Sequence, residues 1–465
     1  MTTLIAAARR ADIWARTGDW LMRHQSVIRR AQWTTVGVYA VLLIVPVILP
    51  LPDNTSFIWN NFTRFAQFAF WGVWWPFVLV STMLVGRVWC GILCPEGTIS
   101  EFASRHGRGR AIPRWMLWAG WPTVAFAATT VYGQMVSVYQ YPMPVLLILG
   151  GSTLGAAAVG YLYGKNKRIW CRYLCPVTGV FGLLAKLAPL HFRTDQEAWR
   201  LSQRSNQRPA PVNCAPLLPL KTMTSASACH MCGRCSGFRG AITLARRSPN
   251  HEIVHVAGRH PNPWETVLVV FGLMGVAAGA FHWSASPWFI AAKQAIAVHL
   301  IDHGLLWPLE ASAPWWILTN YPQASDALSL LDGGLLLAYV TVTALALGIF
   351  ITLCLGAATL CMGSWLPIRF HHLAQSLIPV AAAGVFLGLS ALTVSQLRMD
   401  GIVLPLVTET RIAVLTAASL WSWYLGWRIS GLYTEAAGRR IAAMVFLAAA
   451  LTASSGGWVM YFLLW

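Results

Sequence analysis

Eight cysteines between positions 90 and 235 are the residues best suited to redox chemistry in this chain, which has 465 residues and ten cysteines. Thiolates bind zinc, iron and iron–sulfur clusters. We expect the segments that carry them to face a reducing cytoplasm, where disulfides are rare. The pattern therefore favours metal binding. The eight candidate ligands are Cys90, Cys94, Cys171, Cys175, Cys214, Cys229, Cys232 and Cys235.

The densest group is Cys229-His-Met-Cys232-Gly-Arg-Cys235, in which two residues separate each thiol from the next. Two-residue gaps allow a tight loop to wrap the irons of one iron–sulfur cluster. Zinc is the alternative, because it also accepts four sulfur ligands. Cys214 is the nearest candidate for a fourth ligand. If Cys214 does not reach the site, a three-iron cluster or an open coordination position would result.

An internal repeat supplies the second group. The segment Arg87-Val-Trp-Cys-Gly-Ile-Leu-Cys-Pro95 recurs as Arg168-Ile-Trp-Cys-Arg-Tyr-Leu-Cys-Pro176, with six of nine residues identical. Cysteines four apart predict one face of a helical turn, and the proline predicts a break in the helix. Two copies could present four thiolates to a second [4Fe–4S] cluster, whereas redox-active thiols without a stable cluster are the alternative. Basic residues that would offset the negative charge are Arg87, Lys167, Arg168 and Arg172.

Other candidate residues are less specific. Cys354 and Cys361 lie seven apart in an apolar segment, where packing is the favoured role. Several histidines could bind haem or a metal, although exposed interfacial histidines are the commoner case: His282, His299, His303, His371 and His372. No G-x-G-x-x-G or P-loop fingerprint supports a nicotinamide site or an ATP-driven pump.

Composition places these residues in a membrane protein, because 56% of the chain is hydrophobic and 11% is charged. Soluble domains carry about 25% charged residues, and a bilayer-spanning helix needs about 20 apolar ones. The net charge of +18 does not indicate nucleic acid, because the basic residues lie between apolar segments. The nine predicted spans are Trp33–Leu51, Ala66–Val85, Trp115–Val131, Pro144–Tyr163, Glu265–Trp283, Leu335–Leu360, Leu373–Val394, Ile412–Ile429 and Ile441–Leu464.

The positive-inside rule predicts a cytoplasmic N-terminus in the bacterial inner membrane, since 30 of 34 basic residues then lie inside. We predict an all-α polytopic protein with a small ferredoxin-like insert. Its domains would be a basic arm (1–32), two repeated transmembrane hairpins (33–190), a cytoplasmic cysteine-rich insert (191–262) and a five-helix membrane domain (263–465). A mildly acidic loop, Ser284–Gly334, would lie outside.

The twin Cys-x-x-x-Cys-Pro motifs followed by a cysteine-rich insert resemble the membrane polyferredoxins, the group of NapH, NosR and CcoG. The run from Cys229 to Ile242, together with the chain length, is most similar to the FtrD-type polyferredoxins of ferrous iron uptake systems. The insert departs from the ferredoxin pattern, because one Cys-Pro is missing. The resemblance implies a periplasmic redox partner, either a cupredoxin or a P19-like protein, and an iron permease.

These observations predict an electron-transfer component of an oxidoreductase system, with two [4Fe–4S] clusters on the cytoplasmic side. A haem, a quinone or a partner's cofactor would have to bridge the hydrocarbon core, which is about 30 Å thick. One alternative is a CcoG-like copper or ferric reductase. Another is a non-catalytic assembly or sensing subunit whose cluster is structural.

Overall fold

The computed structural model describes residues 12–53, 55–204 and 209–465. The chain is mostly helical, as expected. Seven helices in this part of the chain are long and apolar enough to cross a membrane, and each overlaps a predicted span. They are α2 (Gln25–Ile48), α3 (Phe62–Val85), α6 (Pro142–Tyr163), α11 (Pro263–Ala285), α13 (Leu330–Cys361), α14 (Pro367–Met399) and α16 (Ala437–Leu464).

The other two predicted spans are also helical but differ from these seven. Helix α5 (Trp121–Met135) has 15 residues. Helix α15 (Val407–Ser430) has 24 residues but carries Glu409 in its first turn and Arg428 in its last. One is therefore short and the other more polar than a typical membrane helix.

The chain divides into two compact units. The first comprises the chain up to Leu42, Phe77–Pro122 and Gly151–Ala257, and it contains all eight candidate cysteines. The second comprises Leu43–Pro76, Thr123–Gly150 and Gly258–Trp465.

The first unit contains the cysteine-rich insert as well as helices of the repeat. Its further helices are α1 (Ile13–Arg23), α4 (Pro95–Arg105), α7 (Ile169–Tyr173), α8 (Thr178–Leu187), α9 (Gln196–Arg204) and α10 (His251–His255). Strands β1 (Leu190–Thr194) and β2 (Ile242–Arg246) pair antiparallel, so that Phe192 faces Leu244. The all-α prediction therefore needs a correction at this hairpin, where alternating apolar residues fold over a core that includes Cys229 and Cys235.

Helix α1 lies within the predicted basic arm, whose first eleven residues are outside the described part of the chain. Asp12 caps the helix by accepting a hydrogen bond from Trp14 N at 3.0 Å. Gly18 faces the insert closely, because a Cβ there would lie 2.9 Å from Ser236 Oγ. The described part of the basic arm therefore packs against the insert through α1.

The second unit holds the remaining membrane helices and a second short hairpin, β3 (Asn320–Tyr321) with β4 (Asp326–Ala327). Four of its spans contain π-helical stretches, which are Phe68–Trp74 in α3, Leu146–Gly150 in α6, Leu268–Val276 in α11 and Met460–Leu464 in α16. The predicted outside loop contains a further helix, α12 (Pro287–Asp302).

Candidate metal centres

The two repeat copies fold alike around their second cysteine. Cys94 N donates to Trp89 O at 2.9 Å, and Cys175 N donates to Trp170 O at 3.0 Å. In the first copy, Trp89–Leu93 is a π-turn and Cys94 is extended, with ψ 118°. Pro95 then begins α4, and Gly97 N donates to Cys94 Sγ at 3.4 Å. The proline break is present, but Cys90 and Cys94 do not share one regular α-turn.

The four repeat thiols form one group, which we call the repeat set: Cys90, Cys94, Cys171 and Cys175. All four are free, with Cys90 and Cys171 buried and the other two half-buried. Burial raises the pKa of Cys171 to about 12. Burial, followed by the charge of neighbouring thiols, raises the pKa of Cys94. To be deprotonated together, these thiols would need a positive partner, which a metal centre would supply.

The insert thiols form a second group, the insert set: Cys214, Cys229, Cys232 and Cys235. All four line one small pocket. Burial raises the pKa of Cys229 to about 12 and also raises that of Cys214. Cys214 therefore lines the same pocket as the other three, and its role as a fourth ligand stays a prediction.

Cys214 reaches the pocket because its segment is tied to the second repeat. Arg168 N donates to the Ala215 carbonyl at 2.9 Å. Lys167 Nζ donates to the Cys214 carbonyl at 3.1 Å and to Asn213 Oδ1 at 2.6 Å. These contacts join residues 46 or 47 positions apart, so the spacing of cysteines along the chain could not indicate them.

The two sets adjoin at Gly91. A Cβ on Gly91 would lie 2.0 Å from the His230 carbonyl and 3.0 Å from Cys232 N. The equivalent position of the second repeat is Arg172, which shows that the copies diverge where the insert packs. Glycine is required here because backbone of the insert occupies the space of a side chain.

Buried charges surround both sets. Arg168 Nε and Glu101 Oε2 form an ion pair at 2.8 Å, and Arg234 Nη2 lies 2.8 Å from Glu101 Oε1. Arg87 donates to the Ser227 carbonyl at 2.9 Å and to Thr178 Oγ1 at 2.8 Å. The Thr178 hydroxyl in turn donates to the Cys171 carbonyl. Of the basic residues predicted beside the cysteines, Arg87, Lys167 and Arg168 make contacts around the two sets. The sequence did not indicate Glu101 and Arg234.

The sequence also did not indicate the contacts that the segment from α1 into α2 makes with the insert. Gln25 Nε2 donates to the Cys232 carbonyl at 3.0 Å, and Arg234 Nε donates to Gln25 Oε1 at 3.2 Å. A Cβ on Gly233, whose φ is +75°, would lie 2.4 Å from Leu21 Cβ. The amphipathic pattern of α1 was the available signal, because its apolar face must cover something.

The spacing of the thiols fits an iron–sulfur cluster, and so do nearby buried hydrogen-bond donors that have no partner among the described atoms. Within the described residues, no group of three or more His, Cys, Asp or Glu closes around a single metal ion. Three buried donors near the sets have no protein partner among the described atoms: Arg87 Nε, Arg168 Nη2 and His230 Nδ1. A centre that offers several acceptor sulfurs would satisfy such donors.

The remaining candidates lie in the second unit. His282 is buried, its Nε2 has no described partner, and its ring stacks on Tyr461 at 4.8 Å. His299 and His303 are exposed, and His303 Nδ1 lies 2.8 Å from the His299 carbonyl. His371 and His372 are hydrogen-bonded to Thr266 and Tyr433, respectively. Cys354 is buried and Cys361 half-buried.

Together these features define a multi-pass membrane protein with two adjoining cysteine sets. The profile of a family described as "4Fe-4S binding domain" matches residues 67–113 and 146–194, which contain the two repeat motifs. Both copies of the repeat therefore lie in segments that are similar to an iron–sulfur binding domain, which supports an iron–sulfur cluster in this chain.

Two characterised relatives are similar to this chain. YccM of Escherichia coli (strain K12), named as a candidate electron transport protein, is 24% identical over 227 residues, 43% of this chain and 62% of YccM. MauN of Paracoccus denitrificans (strain Pd 1222), a ferredoxin-type protein of methylamine utilization, is 28% identical over 144 residues, 26% of this chain and 50% of MauN. The match thus spans less than two thirds of either relative. No solved structure matches the chain. The matches support the predicted class, an iron–sulfur protein related to electron-transport proteins.

Proposed function

We propose that this protein carries two [4Fe–4S] clusters and transfers electrons between the cytoplasmic side of the membrane and a periplasmic redox partner. The observation that carries the proposal is the adjacency of two four-cysteine sets at Gly91. The repeat set would hold one cluster and the insert set the other. Each cluster, when bound, supplies a one-electron store.

The protein's own residues would tune and shield these centres. Arg87 and Arg168 bring positive charge into a buried region, where an opposite charge strongly favours the anionic form of a ligand. Helix α1 and Gln25 cover the insert set on one side. Exclusion of water there lowers the local dielectric, so these charges act more strongly on any centre held by the thiols.

We propose that the chain crosses the membrane nine times. Two residues of the second unit that contact each other lie at the same end of the membrane, so the chain between them must cross it an even number of times. Ile58 N donates to Asp400 Oδ2 at 2.8 Å, so both residues lie at the same end of the membrane. Helices α3, α6, α11, α13 and α14 make five crossings between these residues. Helix α5 supplies the sixth, despite its length of 15 residues.

The same reasoning applies to α15. His372 Nδ1 lies 2.7 Å from Tyr433 Oη, so the start of α14 and the end of α15 are at one end of the membrane. Only α14 and α15 connect them, which supports a crossing by α15. Thr319 N donates to the Met135 carbonyl at 2.8 Å, so the chain after α5 and the chain before α13 share the opposite end.

With nine crossings, both cysteine motifs and the insert lie on the side of the N-terminus. That side also carries 30 of the 34 basic residues, which supports a cytoplasmic placement in a bacterial inner membrane. Electrons exchanged with a periplasmic partner must then cross about 30 Å of hydrocarbon. We propose that a haem, a quinone or a partner's cofactor bridges this distance, with His282 as the candidate outer residue.

The resemblance to FtrD-type polyferredoxins supports a role in ferrous iron uptake, with a cupredoxin or P19-like protein and an iron permease as partners. MauN is a ferredoxin-type protein of methylamine utilization. Related proteins therefore serve different pathways, and the partner must be identified by chemistry. Oxidation of the reduced protein by Cu(II) or Fe(III) alone would favour the CcoG-like reductase instead.

Iron, acid-labile sulfide and EPR spectra of anaerobically purified protein test the proposal directly. Two [4Fe–4S] clusters require about eight irons and eight sulfides per chain. Cys171→Ser and Cys232→Ser should each remove a separate EPR signal, while Cys361→Ser, outside both sets, should remove neither. Zinc in place of iron, or one signal lost in both cysteine variants, would contradict two separate clusters.

A further inference from the structure

Helix α12 begins directly where a membrane span ends. Only Ser286 separates it from α11, and the Ser286 hydroxyl accepts a hydrogen bond from Phe289 N at 3.4 Å. Of the sixteen residues of α12, thirteen are exposed and only Phe289 is buried. The helix therefore presents nearly its whole surface to its surroundings.

That surface is mostly apolar, and its exposed polar residues, Lys293, Gln294, His299 and Asp302, are spread around the helix. A helix that lies at the boundary between membrane and water has one strongly polar face. Helix α12 has none, since large apolar side chains recur at positions that cover its circumference. A helix whose apolar residues cover its whole circumference belongs in an apolar surrounding. The exposed large apolar residues are Trp288, Ile290, Ile296, Val298 and Ile301, followed after the helix by Leu305, Leu306 and Trp307.

The one cation of α12 is neutralised. Lys293 Nζ lies 2.6 Å from Asp332 Oδ1, and Asp332 is almost completely buried. Asp332 also caps α13, because its carboxylate accepts hydrogen bonds from Ser329 N at 3.0 Å and from the Ser329 hydroxyl at 2.8 Å. The middle of α12 thus carries no net charge, which an apolar surrounding requires.

We propose that α12 is embedded in the lipid acyl chains of one leaflet, in a segment of the chain that enters the membrane and returns to the same side. Its sixteen residues span about 24 Å at 1.5 Å per residue, less than a full crossing. Phe289 holds it against Leu336 and Val340 of α13. Trp288 and Trp307 flank the segment with indole rings, which favour the lipid headgroup region.

Lipid fits this surface better than a protein partner does. A docked protein would cover one face of α12 and leave the others, also mostly apolar, in water. Lipid acyl chains surround every face that α13 does not cover. The inference rests on residues of α12 and α13 alone and does not depend on iron–sulfur binding.

Thiol labelling in nanodiscs tests this placement. Ala291→Cys on α12 and Ala311→Cys in the following loop are both at exposed positions. Each purified variant would be placed in phosphatidylethanolamine–phosphatidylglycerol nanodiscs and treated with a membrane-impermeant maleimide, with the unaltered protein as background. We expect the Ala291→Cys variant to react at least about tenfold more slowly, because hydrocarbon suppresses the thiolate. Size-exclusion profiles would verify that both variants are folded.

Equal labelling rates in nanodiscs would overturn the inference, because no other protein is present to account for access. If Ala291→Cys were labelled in nanodiscs but protected in whole cells, a protein partner would cover α12 and the lipid placement would be wrong. Protection in nanodiscs, with rapid labelling of Ala311→Cys, would support it.

Discussion

Arg168 and Glu101 form a buried ion pair, with Arg168 Nε 2.8 Å from Glu101 Oε2 and the two side chains 1% and 9% exposed. Arg168 also donates to the Cys90 carbonyl. Arg234, between two cysteines of the insert, pairs with the same carboxylate at 2.8 Å. Glu101 therefore connects the first repeat, the second repeat and the insert at the place where the two cysteine sets adjoin.

Replacing Glu101 should destabilise the first unit, because two arginines would lose their shared counter-charge. Breaking a buried ion pair on one side costs about 3–5 kcal/mol. We expect Glu101→Ala to lower the thermal midpoint of the purified protein clearly, whereas Glu409→Gln, an exposed residue of α15, should leave it unchanged. Equal midpoints for the two variants would contradict a structural role for the pair.

Glu101 should also contribute to acid sensitivity. Burial alone would raise its pKa, but Arg168 and Arg234 outweigh this and hold the pKa below the ordinary value. A lowered pKa in the folded state means that the stabilisation is complete above the ordinary value, about 4.3, and is lost as pH falls through the folded pKa. Stability measured from pH 7 to pH 3 should therefore fall less steeply in Glu101→Gln than in the unaltered protein.

Arg87 should raise the reduction potential of both centres. It is 4% exposed, and in the described part of the chain it has hydrogen-bond acceptors but no carboxylate partner. Burial raises the pKa of Cys171 and of Cys229, and the charge of Arg87 opposes this rise at both thiols, so its charge reaches both sets. Redox titration followed by EPR should show both signals of Arg87→Gln shifted negative, on the order of 60 mV for a tenfold change in a one-electron couple.

Two further variants would isolate the charge effect of Arg87. Arg87→Lys keeps the charge and should recover most of the potential. Arg110→Gln, at an exposed position, should leave both potentials where they are. A shift in only one signal of Arg87→Gln would contradict a shared influence on the two sets.

Gly91→Ala should displace the insert from the first repeat. The added Cβ would lie 2.0 Å from the His230 carbonyl, and overpacking of this kind costs about 1–3 kcal/mol. The EPR signal that Cys232→Ser removes should broaden or disappear in this variant. Gly151→Ala is the matched control, because a Cβ there has no neighbour within 4 Å. An unaltered signal in Gly91→Ala would mean that the insert does not pack here.

Cys214→Ser should convert the insert centre from four irons to three. Cys214 lines the same pocket as Cys229, Cys232 and Cys235, and a [4Fe–4S] cluster uses four thiolates. Iron analysis should show a loss of about one iron per chain, accompanied by a new EPR signal in the oxidised protein. Unchanged iron content would show that another group supplies the fourth ligand.

Local patterns predicted the chemistry well. The repeated Cys-x-x-x-Cys-Pro motif indicated iron–sulfur binding, which the 4Fe-4S domain match supports. The CxxC-type gaps of the insert lie outside the matched residues, so a cluster there stays a prediction. Apolar segments predicted the seven long membrane helices, because a bilayer selects for about 20 apolar residues in a row. Helices α5 and α15 show where this signal weakens, since one is short and the other carries charged residues.

The sequence by itself identified the candidate metal ligands, the apolar segments and the uneven distribution of basic residues among the loops. Only the tertiary structure decided that Cys214 joins the insert set, that Glu101 bridges two arginines and that Gly91 must lack a side chain. The physical reason is that spacing and hydropathy act over a few turns of the chain. Contacts between residues 59, 67 or 133 positions apart depend on how whole helices and loops pack.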